Sequence, residues 1–176
     1  ESLSRLEKQT LIQRVGDEYS FLTHEEQDIG REIKNTDIDP GEVTAEFQRM
    51  VWESIFTDKK FKYSNRHLYG FNRRLDNQAN GQQINDFGLH VVTPYADQYG
   101  TLKADVECLG ATASGQEVLV RLPDDPMLLD EVNELVKTDK YIRRKNSGNL
   151  TPSIRKILDG RSDENSKRRE RVETTL

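Results

Sequence analysis

Apolar residues recur along this chain at two periods, and the switches between them mark out its elements. Ser2 to Gln9 (SLSRLEKQ) carries Leu3 and Leu6 three apart, which predicts a short helix. From Leu11 to Thr23 the pattern alternates. Leu11, Gln13 and Val15 fall on one face of a first strand, Tyr19 and Phe21 on one face of a second, and Gly16-Asp17 supplies the hairpin turn. Thr23 then offers a capping hydroxyl, and Glu26 three residues later completes a capping box. The helix from His24 carries Ile29 and Ile33 on one face and fades near Asn35. Asp39-Pro40-Gly41-Glu42 repeats the start signal: an acceptor at the cap, Pro at the first helical position and Glu at the third. Val43, Phe47, Met50, Val51 and Ile55 follow at helical spacing, with Trp52 widening the stripe.

The period changes at Lys59. In FKYSNRHLYGF the aromatics stand at 61, 63, 69 and 71, all odd positions, which is strand spacing. Rings at that spacing are expected to face a core, leaving the interleaved cations in solvent. DNQANGQQIND reads as a turn-rich loop, and FGLHVVTPY as a strand stopped by Pro94. DVECLGATASGQEVLVRLP reads as a hairpin, with Val106 and Cys108 on one arm and Val118, Val120 and Leu122 on the other. The sheet so assembled would be small and mainly antiparallel. Asp125-Pro126 starts another helix, with Leu128, Val132, Leu135, Val136 and Ile142 as its apolar side and YIRRKNSG at its end. Thr151-Pro152 starts the last, whose apolar positions Ile154, Ile157 and Leu158 give way to a polar run as far as Val172. A helix polar all round is expected to stand as an arm or connector. The resulting organisation is α+β: residues 1–36 as a hairpin and linking helix, 37–148 as an α+β domain packed by the 42–56 and 126–142 helices, and 149–176 as a helical arm.

Composition narrows the chemistry. The 176 residues are 34% hydrophobic and 32% charged, with a net charge of -5, and mean hydropathy is -0.84. That balance supports a modest core, and any nucleic-acid contact needs a local basic patch rather than a global excess. The single Cys108 excludes an internal disulfide and a multi-cysteine zinc site. No apolar run approaches the roughly 20 residues of a membrane helix. A cytoplasmic setting is expected. Glu1 in place of an initiator Met, and the helical run RRERVETTL at the other end, read as cut ends of a longer protein.

Candidate catalytic groups are weak. Gly110 to Gly115 is followed by Gln116 and Glu117, where a phosphate-binding loop needs Lys and a hydroxyl, so it reads as a turn. His24, His67 and His90 show no metal-ligand spacing with one another or with Cys108. Ser114 lacks the strand-to-helix setting of a nucleophile, and Glu25-Glu26 and Asp124-Asp125 stand at helix starts, where acids serve the free N–H groups. No catalytic, cofactor-binding or metal-binding residue is nominated, and no small-molecule substrate is expected. A small hydrolase stays open only if His67 or His90 proves to sit in a pocket beside a carboxylate. The richest stretch is KKFKYSNRHLYGFNRR, with Lys59, Lys60, Lys62, Arg66, Arg73 and Arg74 and no acid among them. These six are the candidate nucleic-acid contacts: cations for phosphates and, if the rings turn outward, platforms for bases. The cluster Lys140, Arg143, Arg144 and Lys145 reads instead as the basic end of a helix.

Helix end followed by a two-stranded hairpin is the order found where a recognition helix leads into the wing of a winged helix. In addition, RVGDEYSFLTHEEQDIGREIKN resembles a segment of the large P-loop ATPase of bacterial BREX (bacteriophage exclusion) defence systems. FKYSNRHLYGFNR, LHVVTPYAD, VLVRLPDD and TPSIRKILD with its KRRERV continuation resemble the same family in the same order, across nearly the whole chain. The resemblance implies a segment beyond the ATPase core and winged-helix region, in a parent that uses ATP and Mg²⁺, with other BREX components as partners. The family's nucleotide-binding motifs have no counterpart here. On that basis the expected role is a non-catalytic interaction domain, which associates with other components or with itself. The alternative is a nucleic-acid-binding module, with DNA as partner, acting through residues 59–74.

Overall fold

The computed structural model describes residues 2–9, 11–15 and 18–176, so the expected Gly16-Asp17 turn lies outside the described residues. Two units are distinguished. The first comprises the residues up to Ile38 together with Asp130–Arg171, and the second comprises Asp39–Leu129 with Val172–Leu176.

The first unit begins with helix α1 (Ser2–Lys8) and the antiparallel hairpin of β1 (Ile12–Val15) and β2 (Glu18–Phe21). Ile12 of β1 is buried, at 4% exposure, whereas Leu11 on the expected face is only half-buried. Gln13 lies on that other face, and its amide donates to Glu164. Helix α2 (His24–Lys34) starts where the sequence places it, with the Thr23 N–H donating to the Glu26 carboxylate at 2.7 Å and the Glu26 N–H to the Thr23 hydroxyl at 3.3 Å. Its Ile29 and Ile33 pack with Tyr141 of α5 (Pro126–Asn146) and Leu158 of α6 (Pro152–Thr175). Tyr141 keeps its hydroxyl satisfied by donating to Glu32 at 2.9 Å, and Lys145 pairs with the same carboxylate at 2.9 Å. The Lys145 and Tyr141 hydrogen bonds lower the Glu32 pKa.

The polar stretch of α6 does not stand free as the expected arm. Asn165 is 1% exposed, and its amide donates to the Leu135 carbonyl at 3.0 Å and to Asp139 at 2.8 Å. Arg169 meets the other Asp139 oxygen at 2.7 Å, and Arg171 meets Glu131 at 3.0 Å. A helix with few apolar residues can pack when buried polar groups such as the Asn165 amide find complements and long basic side chains cover the seam with their stems.

In the second unit α3 (Pro40–Arg49) opens on a capping box between Asp39 and Glu42, both bonds at 3.0 Å. It runs into one π-helical segment, Met50–Ile55. The wider turn explains why three consecutive residues, Met50, Val51 and Trp52, are all buried, at 0%, 1% and 4% exposure. An α-helix of period 3.6 would spread the three over a wider arc around its axis. Trp52 carries a cost, because among the described residues its buried indole N–H has no acceptor. Trp52→Phe removes that orphan donor while keeping a ring, and an unsatisfied buried donor costs about 1–3 kcal/mol, which offsets the lost contacts. Its unfolding free energy by chemical denaturation is expected within about 1 kcal/mol of the parent, well short of the 3–5 kcal/mol of truncating a buried aromatic. A loss above about 2 kcal/mol would contradict this account of the N–H.

The central sheet corrects the antiparallel expectation. Its strand order is β6 (Gln78–Asn80), β5 (Asn72–Leu75), β7 (Gly88–Val92), β8 (Glu117–Arg121). Only β5 and β6 are antiparallel; β5–β7 and β7–β8 are parallel. The reason lies in the segment expected to be the first arm of a hairpin. It is a helix, α4 (Asp105–Ala111), started by Glu107 accepting from the Ala104 N–H. A helical crossover returns the chain to the same end of the sheet, so β8 must run parallel to β7. The expected loop DNQANGQQIND likewise contains β6. Val92, Tyr99 and Leu102 form a core under this crossover, joined by Ala96, Cys108 and Leu119. Tyr99 donates to the Leu122 carbonyl at 2.7 Å, under the Arg121 guanidinium. The class is mixed α and β, consistent with α+β, and no described helix is long and apolar enough to cross a membrane.

Candidate nucleic-acid interface

Strands β3 (Lys60–Ser64) and β4 (His67–Gly70) form a two-stranded antiparallel ribbon outside the four-stranded sheet. Lys60 pairs with Gly70, Phe61 with Tyr69 and Lys62 with Leu68, and the register shifts between Lys62 and Ser64. At the tip, Ser64 Oγ lies 3.0 Å from His67 Nδ1 and accepts from the Arg66 N–H at 3.3 Å.

The expectation that the rings face a core is overturned. Phe61 is 58% exposed, Tyr63 75% and Tyr69 54%. Two strands make a single layer, and a side chain on such a ribbon is buried only if a second layer covers it. Here no described residue does: every residue of β3 and β4 is exposed except the half-buried Ser64 and Gly70. Phe61 and Tyr69 share a face by pairing. The Tyr63 ring meets Tyr69 edge-on at 6.4 Å, and the His67 ring lies nearly parallel to it at 6.5 Å. Lys60, Lys62 and Leu68 take the opposite face. Phe71, just beyond the ribbon, is half-buried.

The six candidate cations separate into two groups. Lys59, Lys60, Lys62 and Arg66 are exposed, and among the described residues none of the four has an acidic partner. Arg73 and Arg74 leave the candidate surface. Arg73 is 7% exposed and donates to the carbonyls of Thr57 at 3.2 Å and Asp58 at 2.6 Å. Its guanidinium carbon sits 5.4 Å from the Trp52 ring centre and 5.6 Å from that of Phe71, and burial lowers its pKa. Arg74, on the other sheet face, pairs with Glu117 at 2.8 Å. Of the second basic cluster, Lys145 pairs with Glu32 and Arg144 lies over the Tyr141 ring at 5.7 Å, as expected of a helix end meeting its own surroundings.

His90 belongs to the Arg74 group. At 4% exposure its Nε2 lies 2.9 Å from the Asp76 carbonyl, which can only accept, so Nε2 carries the proton and Nδ1 accepts from Arg74 at 3.1 Å. Glu117 is 3.9 Å from Nδ1. The imidazole does sit beside a carboxylate, but both ring nitrogens are spent on stitching β5 to β7. Burial, then the Arg74 charge, lowers its pKa from the ordinary 6.5. A histidine with a depressed native pKa stabilises the fold above about 6.5, and that stability is lost as pH falls from there through the native value. In chemical denaturation between pH 7.5 and 5, His90→Gln is expected to show a shallower decline than the parent, by up to about 1.4 kcal/mol per pH unit in that window. Parallel pH profiles would contradict the assignment.

One concavity of the first unit is lined by Arg14, Arg161 and Lys167 but also by Glu7, Glu134 and Glu164, so it presents both signs of charge. On the ribbon, charges of one sign and exposed rings coincide among the described residues. Sequence spacing places the four rings on one strand face; whether that face is covered depends on the layer count.

No solved structure matches the chain. A family model does, described as the BREX ATP-binding protein BrxC 4th domain with six-stranded beta sheet, over residues 36–176. Six strands, β3 to β8, lie within the matched residues, divided here into a ribbon of two and a sheet of four. With residues 36–176 of its 176 matched to that domain, the chain belongs to the BrxC family of BREX ATP-binding proteins.

Proposed function

We propose that this segment is a non-catalytic interaction module, which couples nucleotide-driven motion in a BREX phage-defence ATPase to assembly of the defence complex in the bacterial cytoplasm. Membership of the family supports a place in an antiviral defence system, with other BREX components as partners, and the proposal adds self-association. The observation that carries the interaction role is the β3–β4 ribbon, exposed on both faces. An exposed ribbon with three large rings in water is a cost to a lone domain and a contact surface in an assembly. The order α1, β1, β2 supports reading the first residues as the tail of a winged-helix-like unit.

The family description includes ATP binding, but the residues here do not fit a nucleotide. Gly110 to Gly115 spans the end of α4 and the turn into β8, and the position a phosphate-binding lysine would need is Gln116, followed by Glu117, which is held by Arg74. Calorimetry with Mg-ATP is expected to give no saturable heat, and saturable binding would overturn the non-catalytic reading. In co-expression with defined BREX components, Phe61→Ser with Leu68→Glu is expected to reduce co-purification at least about tenfold, the effect of losing roughly 1.4 kcal/mol of contact. Unchanged recovery would move the contact surface elsewhere.

The exposure of Lys59, Lys60, Lys62 and Arg66 favours a second reading, in which the module touches nucleic acid through phosphate contacts.

A further inference from the structure

From the two-faced ribbon we infer that this chain binds single-stranded nucleic acid, with unpaired bases stacked on Phe61, Tyr63, Tyr69 and His67 and the backbone phosphates held by Lys60, Lys62 and Arg66. The inference rests on the second reading above and says which form of nucleic acid the surface selects.

Three observations carry it. First, the four rings form one face by pairing and ring contact, and three of them expose half or more of their surface. Stacking needs a free base face. A duplex hides its base faces in its own stack, whereas a single strand can offer them. Second, no Asp or Glu occurs from Lys59 to Leu75, and the ribbon cations have no acidic partner among the described residues, so a polyanion meets no repulsion and displaces no internal salt bridge. An uncharged protein surface would satisfy the rings and leave these cations without a counter-charge. Third, the ribbon is only two strands wide, with strands about 4.8 Å apart, so both of its long edges are open. Lysine stems rooted on the back face can reach round an edge to phosphates flanking bases stacked on the front. The mixture of Phe, Tyr and His rings suits stacking that tolerates any sequence, since every base has a face to stack.

The test is fluorescence anisotropy of a labelled oligothymidylate, and of a labelled duplex of equal length, titrated with the whole 176-residue chain at about 50 mM salt, a range where phosphate contacts are strong. The single strand is expected to bind more tightly than the duplex. Tyr63→Ala with Tyr69→Ala should weaken single-strand binding about ten- to hundredfold, the equivalent of losing one or two stacked bases, and leave the weak duplex binding unchanged. Tyr63→Phe with Tyr69→Phe should keep the affinity, since the ring rather than the hydroxyl is used. Lys60→Gln with Lys62→Gln should lower the slope of log K against log salt by about 1.4, two phosphates at about 0.7 each. These residues are exposed, so far-ultraviolet circular dichroism should match the parent in every variant. Equal binding of duplex and single strand, insensitive to the tyrosines, would overturn the stacking inference while leaving the phosphate reading standing. Failure to bind any oligonucleotide, with ribbon variants still losing their BREX partners, would overturn both nucleic-acid readings and leave the interaction module intact.

Discussion

Replacing Arg73 with Ala is expected to lower the unfolding free energy by about 3 kcal/mol, although in the sequence it looks like one more cation of a basic run. Its guanidinium closes two backbone carbonyls, those of Thr57 and Asp58, in a nearly buried position. Hydrogen bonds from a charged donor contribute about 1.5–3 kcal/mol. Contact with the Trp52 and Phe71 rings adds about 0.5–2 kcal/mol, and the sum is not additive. Arg73→Lys keeps the charge but not the fork, so it should recover only part of the loss. Thr57 and Asp58 lead directly into β3, which gives the substitution a local signature. Amide hydrogen exchange over residues 60–70 should accelerate more than in a core variant of equal global stability, such as one shortened at Phe47. A loss below about 1 kcal/mol would mean that the buried cation is not the tie that its geometry implies.

Asp76→Ala should cost a similar amount, about 3 kcal/mol, whereas Asp76→Asn should cost about 1 kcal/mol. The Asp76 carboxylate accepts from the Thr93 N–H at 2.7 Å and from the Thr93 hydroxyl at 2.8 Å, and Thr93 is fully buried. Alanine leaves both donors without an acceptor, at about 1–3 kcal/mol for a buried orphan group. It also places a Cβ residue with no compensating polar group at φ 52°, where about 1–2 kcal/mol of strain is usual and Asp and Asn are the tolerated side chains. Asparagine keeps an acceptor oxygen and tolerates that backbone. Equal losses for the two variants, measured by denaturant titration, would show that the charge, rather than the acceptor and the backbone conformation, holds the β5–β6 turn against the end of β7.

Much of this fold was legible where the signal was local. The boxes at Thr23–Glu26 and Asp39–Glu42, the Pro-led helices and the stripe from Val43 are written within a few residues of where they act. The direction of β8 was not. Val106 and Cys108 are two apart in a strand or in a short helix alike, and what makes the sheet parallel is the path of the crossover rather than the pattern inside β8. Ring spacing at 61, 63 and 69 marked a common face without marking whether anything covers it. Arg73 and Arg74 are identical letters side by side, and the two-residue period of β5 sends one into the core and the other to Glu117. The polar run of α6 misled for a related reason. Apolar count measures one way of packing, and the bonds of Asn165 and Asp139 measure another.

The first unit is assembled from two stretches of chain separated by ninety-odd residues, from Asp39 to Leu129. As the polypeptide is made from its N-terminus, the whole four-stranded sheet has been synthesised by Arg121, before Tyr141 and Leu158 exist to receive Ile29 and Ile33. Those two isoleucines therefore lack their Tyr141 and Leu158 partners until the insert has been made, and the late helices must reach them across a long closed loop. A chain released in the 120s would carry every strand of the sheet behind an amphipathic helix whose Tyr141 and Leu158 partners are missing, a species for holdase chaperones to shield.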